Sequence, residues 1–125
     1  MVILLDTNYL IRLLVPDTTE ATRVANWVKE NRELCTSSIC WYEFLCGPVD
    51  EEGVLLLSSI LNNTILPFST ANALEASRLY NRCGRKRTLR VDAMIAAAAI
   101  GSESALATEN RDDFTPFVGF GLELV

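Results

Sequence analysis

Val2-Ile3-Leu4-Leu5, followed at once by Asp6-Thr7-Asn8, is the stretch on which the reading of this chain turns. Four consecutive apolar residues closed by a carboxylate are too few for a helix. They also lack the alternation of a strand with one wet face. They describe a short strand buried on both sides, as in parallel sheets covered by helices. Thr7-Asn8 then supplies a turn and the start of a helix. In open α/β sheets ligands bind beyond the carboxyl ends of the strands, and Asp6 stands at such an end.

Outward from this point the pattern repeats. The first helix is expected to run to about Val15, where Pro16 stops it. Thr18 to about Asn31 carries Ala21, Val24, Ala25 and Val28 at helical spacing. Leu34-Cys35-Thr36 predicts a second strand. Ser37 or Ser38 caps a helix to Cys46, which Gly47-Pro48 ends. An amphipathic helix is expected from Asp50 to about Leu61, and a third strand over Thr64 to Leu66. Ser69 or Thr70 starts a helix to about Cys83, closed by Gly84. Arg85 to Arg90 forms a basic connector. Val91 to Ile100 is a helix of small residues ending at Gly101, and its run Ala96 to Ala99 suits close helix packing. Ala105-Leu106-Ala107 predicts a fourth strand and Leu122 to Val125 a fifth. Strands alternating with helices give an α/β fold with a mainly parallel sheet of four to five strands. The length of 125 residues suits a single domain over residues 1–125.

Half of the residues are hydrophobic, enough for a sizeable core. Two Lys and nine Arg face 16 Asp plus Glu, for a net charge of −5. That balance argues against a generic nucleic-acid coat or a membrane-surface protein. It leaves room for a nucleic-acid enzyme whose acidic site is masked by metal. No segment is long and apolar enough to span a bilayer, and Asp6, Asn8 and Arg12 interrupt any signal-like run. Cys35, Cys40, Cys46 and Cys83 lack metal-finger spacing. They read as four reduced core residues of a cytoplasmic protein. The chain has no histidine, which removes imidazole bases, Ser-His-Asp triads and His-ligated zinc. Hydrolytic chemistry must then rest on carboxylates, a metal, or a Lys, Tyr or Cys.

Four acidic stations stand out. Asp6 closes the first strand. Glu43 lies inside Ser38-Ile39-Cys40-Trp41-Tyr42-Glu43-Phe44-Leu45. Asp92 opens Asp92-Ala93-Met94-Ile95-Ala96-Ala97-Ala98-Ala99. Asp112 and Asp113 follow Leu106-Ala107-Thr108-Glu109-Asn110-Arg111. Each alone has an ordinary explanation. Asp6 can cap a helix, Glu43 can edge an amphipathic one, Asp92 can favour a helix dipole, and Asp112 and Asp113 can be turn residues. Together, carboxylates in such apolar surroundings are costly without a positive partner. The natural partner for several of them is Mg²⁺ or Mn²⁺.

The segments Leu4-Leu5-Asp6-Thr7-Asn8, Trp41-Tyr42-Glu43-Phe44, Arg90-Val91-Asp92-Ala93-Met94-Ile95-Ala96-Ala97-Ala98-Ala99 and Leu106-Ala107-Thr108-Glu109-Asn110-Arg111-Asp112-Asp113-Phe114 resemble the PIN-domain ribonucleases. Within them the chain is most similar to the VapC-type toxins of toxin–antitoxin pairs. A lone Asp-Thr-Asn is a weak motif; four stations in order, spanning Val2 to Phe114, are specific. The resemblance implies a three-layer α/β/α fold. It matches Asp6, Glu43 and Asp92 to the three core acids and Asp113 to a fourth, more variable one, with Asp112 competing. It likens Asn8 and Thr108 or Asn110 to polar residues that orient the acids or a metal-bound water. It further implies a homodimer silenced by a small antitoxin. Two features depart from the family picture: the loop before Asp92 is unusually basic, and the stretch after Phe114 is brief.

The implied activity is metal-dependent endoribonuclease cleavage by water, leaving a 5′-phosphate and a 3′-hydroxyl. Six of the 11 basic residues, Arg78, Arg82, Arg85, Lys86, Arg87 and Arg90, precede Asp92. Of these, Arg85, Lys86, Arg87 and Arg90 are the candidate RNA contacts; their alternative is a solvated helix end. Trp41, Tyr42, Phe44 and Leu45 beside Glu43 offer an apolar groove for a partner helix. Housekeeping RNA processing, or a silent acidic Mg²⁺-binding α/β module, is the alternative duty. A receiver domain would need adjacent acids after the first strand and a late lysine, but the only lysines are Lys29 and Lys86. A haloacid-dehalogenase-type phosphatase would need an acid at position 8, where Asn8 stands.

Overall fold

The computed structural model describes every residue from Met1 to Val125. Its elements are β1 (Val2–Leu5), α1 (Thr7–Arg12), α2 (Thr19–Lys29), β2 (Glu33–Ser37), α3 (Ser38–Leu45) and α4 (Glu51–Ile60), then β3 (Ile65–Leu66), α5 (Thr70–Arg82), a 3₁₀ turn (Arg87–Leu89), α6 (Arg90–Gly101), β4 (Ser104–Ala107) and α7 (Arg111–Val118). The sheet has four strands in the order β3-β2-β1-β4, and every pairing is parallel. This is the expected α/β fold with helices layered on the sheet. The carboxyl ends of β1, an inner strand, and β4, the edge strand, lie side by side, with Leu5 opposite Ala107.

Local chemistry explains most boundaries. Ser37, rather than Ser38, caps α3 by accepting the Cys40 N–H at 3.1 Å. Ser69 caps α5 in a reciprocal box with Asn72. Gly84 follows α5 at φ 86, a left-handed conformation that glycine takes without strain. The alanines Ala96 to Ala99 are buried, and α6 packs along α5, as close packing of small side chains requires.

Four expectations need correction. The first helix ends at Arg12 rather than near Val15. Leu122 to Val125 is not a fifth strand: it makes one isolated bridge, Leu124 to Leu106, through the Leu106 N–H to the Glu123 carbonyl at 2.8 Å and the Val125 N–H to the Leu106 carbonyl at 3.0 Å. Asp112 and Asp113, for which a turn was the ordinary explanation, lie in helix α7, which contains Pro116; Phe114 and Phe117, one turn apart, anchor it in the core. All four cysteines are free, but only Cys35 and Cys40 are buried; Cys46 is exposed and Cys83 half-buried. Cys46 follows the last turn of α3, past the face that packs inward. No helix is long and apolar enough to cross a membrane.

Candidate active site

Asp6 is the centre of the site because the fold leaves it nowhere else to go. Its backbone N–H continues the sheet ladder to the Ala107 carbonyl at 3.0 Å. Its side chain caps α1 and is only 4% exposed. A carboxylate so placed needs donors, and both oxygens have them. Oδ1 accepts the Thr7 N–H at 2.8 Å and the Cys40 thiol at 3.6 Å. Oδ2 accepts the Thr108 hydroxyl at 2.7 Å and the Asn8 amide at 3.4 Å.

The donors are themselves aimed. The Thr108 hydroxyl accepts the Asn110 N–H at 3.0 Å, which fills one of its lone pairs and leaves its single proton for Asp6. Asn8 uses its other end to accept the Glu109 N–H at 3.2 Å. It thereby ties α1 to the turn after β4. Burial, then the nearby Asp6 charge, pushes the Cys40 thiol up to about 12, so Cys40 stays protonated and remains a donor.

The other acids come from separate elements. Glu43 is in the last turn of α3, exposed, and accepts the Thr7 hydroxyl at 2.8 Å. Thr7 thus holds Asp6 through its backbone and Glu43 through its side chain. Asp92 is in the first turn of α6 and half-buried. Its pKa is pushed up to about 6, first by burial and then by the charges of Asp6, Asp113 and Glu43. The charges of those three carboxylates therefore reach Asp92. Asp112, the neighbour of Asp113 on α7, is not among the charges acting on it. The structure brings Asp6, Glu43, Asp92 and Asp113 to one end of the sheet, with Asn8 and Thr108 between them. Asn110 contributes its backbone N–H, and its side chain makes no capping bond.

No basic side chain answers these charges. The chain's ion pairs are Arg12 with Glu109, Arg32 with Glu30 and Arg78 with Glu75, none of them at the four acids. Four carboxylates, one buried and one held back from ionising, form a set short of positive charge. No three of them stand close enough to grip one ion together. The set therefore suits an ion held by one or two carboxylates, with water completing its shell.

Arg85, Lys86, Arg87 and Arg90 are exposed around the 3₁₀ turn that leads into α6. The aromatic cluster beside Glu43 divides: Phe44 is core and Trp41 half-buried, whereas Tyr42 and Leu45 are exposed. Phe44 thus cannot line the expected groove. Leu45 does line one, with Val49, Val54 and Leu55 from the α3–α4 turn and α4. Two site residues escaped the sequence reading. Thr7 adjoins Asp6, and Cys40 lies three residues before Glu43; helical spacing from Glu43 was the available signal for Cys40.

The PIN-domain family model matches residues 3–116. The chain belongs to the PIN-domain family. No curated protein matches it. Among solved structures, this PIN domain is similar to VapBC2 from Rickettsia felis bound to a DNA fragment from their promoter. That match has 21% identity and a TM-score of 0.74, covering 100% of this chain and 98% of the other. It is also similar to FitAcB from Neisseria gonorrhoeae, at 21% identity and TM-score 0.72, covering 99% and 96%. A toxin–antitoxin complex from Klebsiella pneumoniae matches at 27% identity and TM-score 0.66, over 89% and 88%.

Proposed function

We propose that this PIN domain is a metal-dependent endoribonuclease and the toxin of a type II toxin–antitoxin pair. The observation that carries the reading is Asp92, whose carboxyl is pushed up to about 6 by burial and by three further carboxylates, with no cationic side chain paired to any of them. A bound cation would offset this repulsion and favour the charged form of the set. Its all-oxygen chemistry suits Mg²⁺ or Mn²⁺. Asp6 and Asp92 are the proposed direct ligands, with Glu43 and Asp113 completing the set or holding water.

A bound ion of this kind acidifies water and offsets charge building on a phosphate. The chain's own residues do the rest. Thr108, Asn8 and Thr7 hold Asp6 and Glu43 in fixed orientations. Asp113 and Glu43, both exposed, are placed to accept the proton of an attacking water. A metal-acidified water is the nucleophile that this carboxylate set favours over the RNA 2′-hydroxyl. Direct attack by water leaves a 5′-phosphate and a 3′-hydroxyl.

The proposed partners are RNA, a second copy of this chain in a homodimer, and a small antitoxin. Support for the antitoxin comes from the solved relatives, which include toxin–antitoxin complexes. The apolar groove of Leu45, Val49, Val54 and Leu55 at the α3–α4 junction fits one face of an amphipathic helix. An inserted arginine would answer the unpaired acids through charge-assisted hydrogen bonds. The deciding experiment is cleavage of a labelled RNA by the purified chain, with Mg²⁺ or Mn²⁺ and with EDTA. Cleavage that EDTA abolishes is expected. Metal-independent cleavage, or none under any divalent ion, refutes the reading.

A further inference from the structure

Five cations of this acidic chain have no carboxylate partner and fall within nine residues: Arg82, Arg85, Lys86, Arg87 and Arg90. Three of them lie on aromatic rings. Arg85 and Arg90 flank the ring of Tyr80, 5.3 and 5.6 Å from its centroid. Arg82 lies 6.0 Å from the centroid of Phe120. The Tyr80 clamp is anchored as well. Its hydroxyl donates to the Arg85 carbonyl at 2.8 Å, the Arg85 N–H returns to the Tyr80 carbonyl at 3.1 Å, and the Arg85 guanidinium donates to Asn81.

A helix end that merely welcomes positive charge does not explain this. The dipole of α5 favours Arg82 in its last turn, but Arg85 and Lys86 lie beyond that turn. Arg90 opens α6, where the dipole opposes a cation. An arginine near a ring face is drawn to it by a cation–π attraction, while its N–H groups can still fork onto phosphate oxygens.

Position gives the patch direction. Arg90 is two residues before Asp92 on α6. Phe120 is seven residues after Asp113, just past the end of α7. The Cys83 thiol donates to the Pro116 carbonyl at 3.5 Å and so fastens the end of α5 to α7. Between them opens a cleft of about 500 Å³ lined by Glu75, Arg78, Leu79, Arg82, Gly119 and Phe120, with Glu75 paired to Arg78. The cationic strip therefore adjoins the helices that carry two of the four acids.

We propose that Arg82, Arg85 and Arg90, set on Phe120 and Tyr80, form a track for the backbone of single-stranded RNA that leads to Asp92 and Asp113. The track rests on the nuclease reading and deepens it by naming how the strand is held. Flat guanidinium faces stack on unpaired bases, which a duplex keeps hidden. The test uses the full chain carrying Asp6→Asn, so that RNA is bound and not cut. Binding of a short unstructured RNA is measured as salt is raised. Replacing Arg82, Arg85 and Arg90 by Gln together should reduce the slope of log affinity against log salt by about 2, at roughly 0.7 per lost phosphate contact. Tyr80→Leu keeps every charge, so affinity should fall about two- to fivefold, as for an exposed cation–π contact, with the slope retained. Unchanged slope and affinity in the triple variant, while the parent chain still cuts RNA with metal, overturns the track alone. Duplex bound as tightly, with the same dependence on the three arginines, overturns the single-strand assignment. A parent chain that neither binds nor cuts RNA overturns the nuclease reading and the track with it.

Discussion

Asp92→Asn should make the metal-free protein more stable at neutral pH. Burial and the charges of Asp6, Asp113 and Glu43 raise Asp92 from 3.8 in the unfolded chain to about 6 in the folded one. That difference of roughly 2 units corresponds to about 3 kcal/mol at 1.36 kcal/mol per unit. Asp92 is only half-buried, so solvent screening reduces the figure to about 1 kcal/mol. The sign follows from linkage. Below about pH 4 both states hold the proton and the stability is fully present. As pH rises, the unfolded chain releases its proton first, and stability is lost progressively until pH passes about 6. Asn at this position has no such titration. The difference, variant minus parent, should therefore grow from about pH 4 to 6.5 and level off near 1 kcal/mol, or about 3–5 °C in Tm for a chain of this length. Urea unfolding at several pH values in EDTA measures it, and titrations of groups that do not interact with Asp92 cancel in the difference. Adding Mn²⁺ should then stabilise the parent by mass action and the variant little. A flat difference, or a parent more stable than the variant above pH 6, refutes the account of Asp92 as a charge without a partner.

Other outcomes follow from the same geometry. Asp6→Asn should abolish metal-dependent RNA cleavage while circular dichroism shows an intact fold; full activity in that folded variant sinks the nuclease assignment. Asp113→Asn should slow cleavage more than Asp112→Asn, since only Asp113 is among the charges on Asp92; the reverse order would move the fourth acid to Asp112. A thiol reagent near pH 8 should label exposed Cys46 quickly and leave Cys40, buried and pushed up to about 12, unmodified until the chain unfolds; mass spectrometry of the native protein reads the pattern. An antitoxin encoded beside this chain should co-purify with it, suppress cleavage and weaken Mn²⁺ binding in a titration of free and bound forms. A neighbour that neither binds nor protects RNA removes the toxin role.

What the sequence by itself determined was set by local rules. An apolar run of four residues can only be a strand buried on both faces, so β1, its parallel neighbours and the position of Asp6 at a strand end were legible from residues close together in the chain. Caps such as Ser37 and Ser69, and the stop at Gly84, obey the same short-range chemistry. The tertiary structure decided what depends on residues far apart. The helical state of Arg111 to Val118 was not signalled locally, since Asp112 and Asp113 suit a turn as well; burial of Phe114 and Phe117 in a core built by other elements decides it, even with Pro116 inside the helix. The terminal residues looked like a strand but found only one bridge, because strand pairing requires a neighbouring edge that local sequence does not describe. The candidate site divides the same way. Four acids could be picked out by context, but that Thr7 joins Asp6 to Glu43, that Cys40 donates to Asp6, and that Asp113 rather than Asp112 acts on Asp92 are consequences of packing. Hydrogen bonds require contact and charge interactions weaken with distance and screening, so both follow distance in space, and only the fold converts separation along the chain into that distance.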